Sequence, residues 1–422
     1  MLKVLVIGNG AREHALVWKL SQSPKVSEIY AAPGTAGIAS KAAIINIKPT
    51  DIESLVAVAQ EKRIDLTVVG PEVPLAQGIV DTFENRGLRI FGPSKAAARI
   101  EASKVFSKEL MQKYGIPCAA SKSFTSCEAA KNYVKKQHCP IVLKADGLAA
   151  GKGVIIANTN DEALTAVSDI MEKRTFGDSG KSVVVEEFLV GKEVSLLAFT
   201  DGVSVVPMVP ACDYKRVGDG DTGLNTGGMG SYSPPGFFGP EMVKKVKNTI
   251  LEPVVKAMAK EGYPYRGVLY AGLIVTEKGP KVMEFNCRFG DPETQAMLPR
   301  LDTDLVDIML AVIDGSLNKI KIHWRNEACV GVILASGGYP GKYATGFPIT
   351  GLDTVDDDVM VFHAGTKSKD GAICTDGGRV LTVTALGRNI AEARDKVYRN
   401  ISRITFNGCH YRGDIGEREV AG

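Results

Sequence analysis

Short apolar runs alternate with helical patterns over the first 92 residues of the chain. The runs at residues 2–7, 28–32, 66–69 and 88–91 have the length and composition of strands. Strands that alternate with helices are typical of an α/β fold built on a doubly wound parallel sheet. The chain is therefore predicted to begin with such a sheet, and ligand-binding loops are expected at the carboxyl ends of its strands.

The pattern continues through the rest of the chain. Strands are predicted at residues 140–144, 182–187, 194–199, 328–335, 359–364 and 379–385, and helices at residues 103–114, 304–314 and 390–404. A connection followed by a new apolar strand places a domain boundary near residue 326. At 422 residues the chain is too long for one ordinary core, so we expect several domains.

One stretch, residues 282–295, carries the strongest candidate chemistry and reads V-M-E-F-N-C-R-F-G-D-P-E-T-Q. Successive side chains of a strand point to opposite faces, so Glu284, Asn286 and Arg288 are predicted to share one face. A carboxylate and an amide oxygen beside a guanidinium suit a hard cation that also binds phosphate oxygens, which indicates magnesium and a nucleotide. The alternative is a half-exposed strand with a solvated polar face.

Glycine-bearing loops follow three of the N-terminal strands. The first, G-N-G-A-R-E-H at residues 8–14, departs from a dinucleotide fingerprint because Glu13 replaces its third glycine. Gly8 and Gly10 instead predict backbone amides, at a helix N-terminus, that meet an anion such as a phosphate monoester. A turn shaped only by packing is the alternative.

A second group of features suits a nucleotide. Lys104 lies in the first turn of a helix, where its charge opposes the helix dipole unless an anion is near. Lys144 precedes a glycine-rich loop, A-D-G-L-A-A-G-K-G-V, which lacks Walker A spacing but could cover phosphates with its N–H groups. Glu186, Glu187 and Glu193 flank a probable turn, and they either bind adenine and ribose or mark an exposed hairpin end.

The glycine-rich stretch at residues 213–231 reads D-Y-K-R-V-G-D-G-D-T-G-L-N-T-G-G-M-G-S. So much glycine indicates either a disordered linker or a loop that wraps around a ligand. Polar side chains between the glycines, including Asp213 and Lys215, and the stiff Pro234–Pro235 pair that follows favour the loop.

Composition argues against several functions. The 51 Lys and Arg nearly balance the 48 Asp and Glu, and a net charge of +3 indicates no nucleic-acid partner. The eight cysteines include no C-x-x-C pair, so reduced thiols and no zinc site are expected. The first apolar run is too short for a signal peptide and none reaches membrane-spanning length, so we expect a cytoplasmic protein with no membrane partner. No exposed heptad or apolar helix argues against a monomer.

Six motifs resemble, in order along the chain, those of the glycinamide ribonucleotide synthetase family of ATP-grasp enzymes: N-G-A-R-E-H, V-L-K-A-D-G-L-A-A-G-K-G-V, E-E-F-L-V-G-K-E, D-Y-K-R, N-T-G-G-M-G and M-E-F-N-C-R-F-G-D-P-E-T-Q. The resemblance implies a preATP-grasp domain at residues 1–102, an ATP-grasp catalytic domain at 103–325 with a mobile lid at 119–188, and a small C-terminal α+β domain at 326–422. It implies that glycine is joined to 5-phosphoribosylamine through glycyl phosphate in purine biosynthesis. ATP is then a substrate, with Mg²⁺ or Mn²⁺ as cofactor.

The resemblance also implies roles for individual positions. Glu284 and Asn286 match the metal ligands. Lys104 and Lys144 match the lysines that hold the phosphates and the adenine side, and Arg288 matches the arginine beside the transferred phosphoryl group, so these three are implied to be catalytic. The positions that match nucleotide-binding residues are Lys104, Lys144, Gly147, Gly151, Lys152, Gly153, Glu186, Glu187, Leu189 and Glu193. The positions that fall where glycine and the amine acceptor are expected are Asn9, Gly10, Glu13, Gly70, Pro71, Asp213, Gly227, Gly228, Met229, Gly230 and Arg288.

Two other interpretations remain open on the sequence. One is another ATP-grasp carboxylate–amine ligase or carboxylase of similar architecture, against which the segment from D-Y-K-R to N-T-G-G-M-G argues. The other is a non-catalytic nucleotide sensor or a dinucleotide oxidoreductase that uses the N-terminal loop. Bound flavin, and the dependence of ADP release on each substrate, would distinguish these possibilities.

Overall fold

The structure is a computed structural model and describes residues 1–148 and 153–420. The strands of this part of the chain form four larger sheets and two separate hairpins. No helix in these residues is both long enough and apolar enough to cross a bilayer.

The N-terminal residues form the predicted parallel sheet. Its strands are β1 (Leu2–Gly8), β2 (Val26–Pro33), β3 (Ala43–Ile44), β4 (Leu66–Val69) and β5 (Ile90–Phe91), in the order β3-β2-β1-β4-β5. The helices between them are α1 (Ala11–Leu20), α2 (Ile52–Glu61), α3 (Glu72–Gln77) and α4 (Ile79–Glu84). The last strand is shorter than predicted, because only Ile90 and Phe91 pair with β4.

Two helices, α5 (Lys95–Ala102) and α6 (Lys104–Lys113), lead out of this sheet. Ser103 caps α6, since its Oγ accepts from the Phe106 N–H at 3.1 Å. Asp146 Oδ1 accepts from the Ser103 hydroxyl at 3.1 Å and from the Val105 N–H at 3.2 Å. A carboxylate therefore lies at the positive end of α6 and offsets the unfavourable position of Lys104 in its first turn.

The next segment folds into a unit with its own apolar core, where the lid was expected. Its strands are β6 (Ser121–Phe124), β7 (Ile141–Ala145), β8 (Val154–Ala157) and β9 (Val183–Glu187), in the antiparallel order β6-β9-β7-β8. Its helices are α7 (Cys127–Val134) and α8 (Asn160–Met171). Ala130, Leu143 and Val167 are buried in this core.

The central antiparallel sheet has the order β11-β10-β16-β17. Its strands are β10 (Lys192–Asp201), β11 (Val205–Pro207), β16 (Arg266–Thr276) and β17 (Gly279–Asn286). In β17 the register shifts so that Glu284 pairs with Gly272 and Val282 with Leu273, which leaves Met283 in a bulge. The extra residue reverses the alternation, and Val282 is buried in the core on the same side as Phe285.

The fourth of the larger sheets has the order β12-β15-β18-β22-β19. Its strands are β12 (Cys212–Asp213), β15 (Gly230–Ser233), β18 (Ala328–Ala335), β19 (Val359–His363) and β22 (Arg379–Gly387). The first two strands come from the glycine-rich stretch and its end, before the expected boundary at residue 326. Strand β15 nevertheless pairs with β18, which lies after that boundary. Gly230 permits this pairing, because a Cβ there would lie 2.7 Å from the Gly331 carbonyl oxygen.

The remaining strands form two hairpins, and five further α-helices complete the α-helices of the described chain. The hairpins pair β13 (Arg216–Gly218) with β14 (Thr222–Asn225), and β20 (Thr366–Lys369) with β21 (Ala372–Thr375). The helices are α9 (Pro240–Val246), α10 (Glu252–Lys260), α11 (Glu293–Met297), α12 (Leu305–Ile313) and α13 (Ile390–Ile401).

Candidate active site

A cavity of about 370 Å³ lies where the first sheet, the lid unit, the central sheet and the fourth sheet meet. Strand β17 crosses it, and the glycine-rich stretch lines one side. The residues singled out from the sequence that line it are Pro71, Lys104, Lys144, Gly147, Gly153, Glu186, Asp213, Lys215, Gly227, Glu284, Asn286 and Arg288. The fold thus brings together positions that are far apart in the chain.

One end of the cavity holds two lysines on one buried glutamate. Lys144 Nζ and Lys108 Nζ each lie 3.1 Å from Glu186 Oε2, and all three side chains are almost inaccessible to solvent. Lys144 Nζ also donates to the carbonyl of Met283, the bulged residue of β17, at 2.9 Å. Lys144 therefore ties the lid unit to the central sheet.

Lys104 approaches the same cavity from the start of α6. Its Nζ donates to the Gly147 carbonyl at 2.8 Å, at the beginning of the glycine-rich loop after β7. Burial lowers the pKa of Lys104, although the Glu284 carboxylate acts in the opposite direction. A buried ammonium that meets one carbonyl keeps donor capacity for an anionic ligand.

Glu284 and Asn286 face the cavity from β17, as the alternation predicts. Burial alone would raise the pKa of Glu284, but the charges of Lys144, Lys215 and Lys104 hold it below its usual value. The carboxylate is therefore ionised at neutral pH and surrounded by an excess of positive charge. Such a field suits a polyanion such as a triphosphate.

Arg288 lies beyond the strand and not on it, because β17 ends at Asn286. Three side chains hold its guanidinium: Nε lies 3.3 Å from Glu72 Oε2, and Nη2 lies 3.2 Å from Glu101 Oε1 and 3.3 Å from Asn286 Oδ1. Nη1 donates to the Phe289 carbonyl at 3.2 Å. Burial would lower the pKa of Arg288, yet the two carboxylates raise it. Glu101 is fixed in turn by the Cys287 N–H, which donates to Oε2 at 2.7 Å.

The opposite wall carries a second cluster of charges. Lys215 Nζ lies 2.6 Å from Glu193 Oε2 and 3.6 Å from Asp213 Oδ1. Burial raises the pKa of Asp213 to about 7, although Lys215 opposes the shift. Burial alone would lower the pKa of Lys215, but Asp213 and Glu193 raise it well above its usual value. Glu193 itself is exposed at the edge of this cluster.

Arg379, from β22 of the fourth sheet, adds another cation to the lining of the cavity. Its Nη1 donates to the Gly227 carbonyl at 2.6 Å and lies 3.3 Å from Asp291 Oδ1. The Gly227 N–H donates to the Tyr339 hydroxyl at 3.0 Å. The loop N-T-G-G-M-G is thereby held against the turn that follows β17.

In the N-terminal loop the Gly10 amide already has an acceptor within the chain. Glu13 is buried, and its carboxylate accepts from the Gly10 N–H and from Arg12 Nε, both at 2.6 Å. A Cβ on Gly70 would lie 1.9 Å from Glu13 Oε1, so glycine makes room for this carboxylate. The anion that meets the Gly10 amide is therefore the chain's own, and Asn9 beside it is exposed.

Several nucleotide candidates lie outside the described lining of the cavity. Glu187 is exposed, and its Oε1 accepts from the Ala120 N–H at 3.0 Å and from Lys281 Nζ at 2.7 Å. Leu189 is half-buried in the segment between β9 and β10. Gly151 and Lys152 are outside the residues that the structure describes.

The end of the glycine-rich stretch serves packing. Met229 is fully buried against Ile333 and Ala335 of β18, so its side chain belongs to a small core and does not line the cavity. Gly228 adopts a φ of +108°, and a Cβ there would lie 2.4 Å from Pro292. Gly230 is fixed by its pairing with β18.

The chain matches three models of one family along nearly its whole length. They are the phosphoribosylglycinamide synthetase N domain over residues 2–101, the ATP-grasp (A) domain over residues 102–294 and the C domain over residues 329–418. The chain belongs to the phosphoribosylglycinamide synthetase family.

Similar proteins with curated names are phosphoribosylamine–glycine ligases. A phosphoribosylamine–glycine ligase of Caldanaerobacter subterraneus is 52% identical over 414 residues, which is 98% of this chain and 99% of the relative. One from Halalkalibacterium halodurans is 49% identical over 420 residues, or 100% and 98% of the two chains. The members therefore align with this chain from end to end.

Two solved structures have a similar fold over nearly the whole chain. The crystal structure of a phosphoribosylamine–glycine ligase from Thermotoga maritima has a TM-score of 0.86 at 34% identity and covers 98% of this chain and 100% of its own. A biotin carboxylase from Campylobacter jejuni has a TM-score of 0.76 at 15% identity over 100% and 96% of the two chains. The second likeness concerns the fold alone.

The cavity residues that were not singled out from the sequence include Lys108, Glu101 and Arg379. Lys108 follows Lys104 by one helical turn, so its position on the same face of α6 was a usable signal. Glu101 and Arg379 gave none, because their partners, Arg288 and Asp291, come from other segments of the chain.

Proposed function

We propose that the chain joins glycine to 5-phosphoribosylamine, with ATP cleaved to ADP and phosphate, in purine biosynthesis. The observation that carries the proposal is the meeting of Lys104, Lys144, Glu284, Asn286 and Arg288 around one cavity, in a chain of this family. A carboxylate is a poor acyl donor, because its leaving group would be an oxide. Transfer of a phosphoryl group to it supplies a better leaving group.

In the proposed reaction a glycine carboxylate oxygen attacks the γ-phosphorus of ATP, the bond to ADP breaks, and glycyl phosphate forms. The amine nitrogen of 5-phosphoribosylamine then attacks the carbonyl carbon, phosphate leaves and the nitrogen loses a proton. Lys104, Lys144 and Arg288 would offset the charge on the phosphoryl oxygens during transfer. The lid unit would exclude water that otherwise hydrolyses the acyl phosphate.

Glu284 and Asn286 fit a divalent metal. They offer one carboxylate and one amide oxygen, the ligand type that Mg²⁺ prefers, and a metal held by few protein groups keeps positions for phosphate oxygens. The described residues contain no cluster of three or more His, Cys, Asp or Glu side chains suited to a metal. We propose Mg²⁺ or Mn²⁺, which when bound would supply a Lewis acid at the phosphates.

Heavy oxygen distinguishes this route from direct amide formation. If both carboxylate oxygens of glycine carry the heavy isotope, one of them is expected to appear in inorganic phosphate for each product molecule formed. Mass spectrometry of the phosphate measures the transfer. The label should require the amine substrate, so a reaction without it is the control.

Product formation with unlabelled phosphate would contradict the glycyl phosphate route. ADP release that depends on bicarbonate in place of glycine would instead point to a carboxylase of similar fold. ADP release with neither dependence would contradict the ligase.

The raised pKa of Asp213 leads to a pH-dependent substrate affinity. Asp213 is proposed to bind an amine substrate as the ionised carboxylate, and burial raises its pKa to about 7. The ionised fraction therefore falls as the pH drops below 7, and kcat/KM for one of the two amine substrates is expected to fall with it. Asp213→Asn should remove this dependence at the cost of lower affinity.

The profile is measured between pH 5.5 and pH 8.5 with each substrate limiting in turn, and the KM for ATP serves as the internal control. A parallel fall for all three substrates in both proteins would assign the dependence to another group.

A further inference from the structure

The C-terminal segment, residues 410–419, makes hydrogen bonds along the glycine-rich stretch that lines one side of the cavity. The Gly413 N–H donates to Asp219 Oδ1 at 2.9 Å. The Gly220 N–H donates to Asp414 Oδ2 at the same distance. Both bonds join residues 194 positions apart in the sequence, and none of these four described residues lines the cavity. The segment therefore supports the stretch from outside the cavity.

Arg412 makes charge-assisted contacts within this segment and across to the stretch, and its side chain is fully buried. Its Nε and Nη2 donate to the two carboxylate oxygens of Asp414 at 2.7 and 2.6 Å. Its Nη1 donates to Asp221 Oδ1 at 2.9 Å and to the Arg216 carbonyl at 3.0 Å. A buried cation needs such partners. Two of them, Asp221 and Arg216, belong to the glycine-rich stretch.

Tyr214 connects Arg412 to the lining of the cavity. It lies between Asp213 and Lys215, which both line the cavity. Its ring instead packs on the Arg412 guanidinium, whose carbon lies 4.6 Å from the ring centre. The Tyr214 hydroxyl accepts from the Gly416 N–H at 3.1 Å. Neighbouring side chains thus alternate as in a strand, so a contact that fixes the tyrosine also fixes the directions of the two charged side chains beside it.

Helix α13 anchors the C-terminal segment in turn. The Tyr398 hydroxyl donates to the Arg412 carbonyl at 2.7 Å and accepts from the Ile415 N–H at 3.1 Å. Arg394 Nη2 donates to the Gly413 carbonyl at 2.6 Å. The backbone of Arg412 is therefore held by a helix that does not itself line the cavity.

We propose that Arg412 is a positioning residue for Asp213 and Lys215, and that it thereby sets the affinity of the site for glycine or 5-phosphoribosylamine. It acts through Tyr214, whose ring it holds, and through the Arg216 carbonyl, which fixes the backbone directly after Lys215. The proposal rests on the proposed function in taking this wall of the cavity to bind one of those two substrates.

Arg412→Lys is the main test. Lysine keeps a cation for Asp221 and Asp414, but it can neither bind one carboxylate with two parallel N–H groups nor stack as a plane on the tyrosine. The KM for glycine, for 5-phosphoribosylamine or for both is expected to rise roughly tenfold. The KM for ATP should stay within about twofold of that of the parent, because the lid unit and the central sheet hold the lysines proposed to bind its phosphates.

The division between KM values separates positioning from a loss of stability. A variant that is only destabilised would contain less active protein, so kcat would fall and all three KM values would stay unchanged. That result would overturn the proposal, as would a parallel rise in the KM for ATP.

Arg403→Lys is the matched control. Arg403 Nη1 also binds a carboxylate oxygen and a carbonyl, those of Asp356 and Thr354, at 2.6 and 2.7 Å. Both partners lie outside the glycine-rich stretch, so all three KM values should remain those of the parent.

Tyr214→Leu tests the route from Arg412 to the cavity. It removes the ring and the hydroxyl, so it should raise the same KM as Arg412→Lys. The double variant should raise that KM no further than the larger single effect, because both changes break one link. Additive effects of the two changes would overturn a route through Tyr214.

Hydrogen exchange in the ligand-free protein distinguishes failure of this proposal from failure of the proposed function. Peptides that cover residues 213–221 should exchange faster in Arg412→Lys than in the parent or in Arg403→Lys. A parent protein that releases no ADP with glycine and the amine would refute the proposed function, and faster exchange would still support the role of Arg412 in holding the stretch. Unchanged exchange in a folded Arg412→Lys protein would overturn the proposal.

Should Arg412→Lys not fold, Asp221→Asn provides both measurements. It weakens the same guanidinium contact from the exposed side, and asparagine tolerates the φ of +57° at this position. The KM for glycine or the amine and the exchange of residues 213–221 should again rise together. If neither rises, Arg412 does not position this wall of the cavity.

Discussion

Replacing Glu284 with alanine is expected to reduce turnover by roughly 10³-fold or more while the fold remains intact. The carboxylate faces the cavity and is surrounded by Lys104, Lys144 and Lys215, so its loss removes the anionic centre of the site. The proposed divalent metal would lose its charged ligand, and the remaining cations would repel one another. The expected change is measured as ADP release with all three substrates, together with the affinity for nucleotide at several Mg²⁺ concentrations.

Glu277→Ala is the matched control, because Glu277 lies in the exposed turn that joins β16 and β17. It removes the same group from the same hairpin, away from the cavity, and should leave turnover and unfolding temperature close to those of the parent. If Glu284→Ala keeps its turnover and its Mg²⁺ dependence, the proposed metal site is wrong. If it unfolds at a much lower temperature, the carboxylate is needed for the fold and the kinetic result does not support a ligand role.

Local patterns were sufficient to predict some of the regular elements. Helix α6 is bounded by Ser103, which caps its first turn, and by Gly115 after its last, and both signals can be read from neighbouring residues. Residues 4–7 of β1 and residues 66–69 of β4 are buried on both faces, as expected for a parallel sheet covered by helices. Helix α6 and strands β1, β2, β4 and β5 were predicted to within a few residues, whereas the short strand β3 was not predicted.

Long-range pairing was not predictable in this way. Strands β12 and β15 contain few residues, and they are strands only because β15 pairs with β18, far along the chain. In the sequence the same residues look like a glycine-rich loop. The glycines instead allow close backbone contacts, as at Gly230, and the neighbour that makes glycine necessary is invisible in the local pattern.

In the candidate site, too, some positions follow from the local sequence pattern and others depend on distant segments. Glu284 and Asn286 share a face because side chains two positions apart in a strand point to the same side. The bulge at Met283 comes before both residues, so it does not change their relative orientation. Arg288 lies past the end of the strand, and its position depends on Glu72 and Glu101, which come from α3 and α5. Nothing in the stretch around it predicts those partners.

The N-terminal loop is a case in which a signal was present. Gly10 and Glu13 have the spacing of an N-cap and the N3 residue of a capping box, in which the N3 carboxylate accepts from the N-cap amide. The amide of Gly10 was therefore already matched by an acceptor in the sequence. An external anion was not needed to explain these residues.

Arg288→Met is expected to lower turnover by roughly 10²–10³-fold and also to destabilise the fold. The rate falls because a cation is lost beside the proposed phosphoryl transfer. Stability falls by about 3–5 kcal/mol, because the buried carboxylate of Glu101 and the half-buried carboxylate of Glu72 would keep their charges without their partner. Burial already raises the pKa of Glu101 with the arginine present, so in the variant this carboxyl should take up a proton more readily and the destabilisation should shrink as the pH falls.

The double variant Arg288→Met with Glu101→Gln separates the two effects. Glutamine carries no charge that needs a partner, and its carbonyl oxygen can still accept from the Cys287 N–H. The unfolding free energy should therefore recover a large part of its loss, while turnover stays low because the cation is still missing. Chemical denaturation and ADP release, measured on the parent and on both variants, provide the comparison. If turnover recovers together with stability, Arg288 supports the fold and has no direct part in phosphoryl transfer.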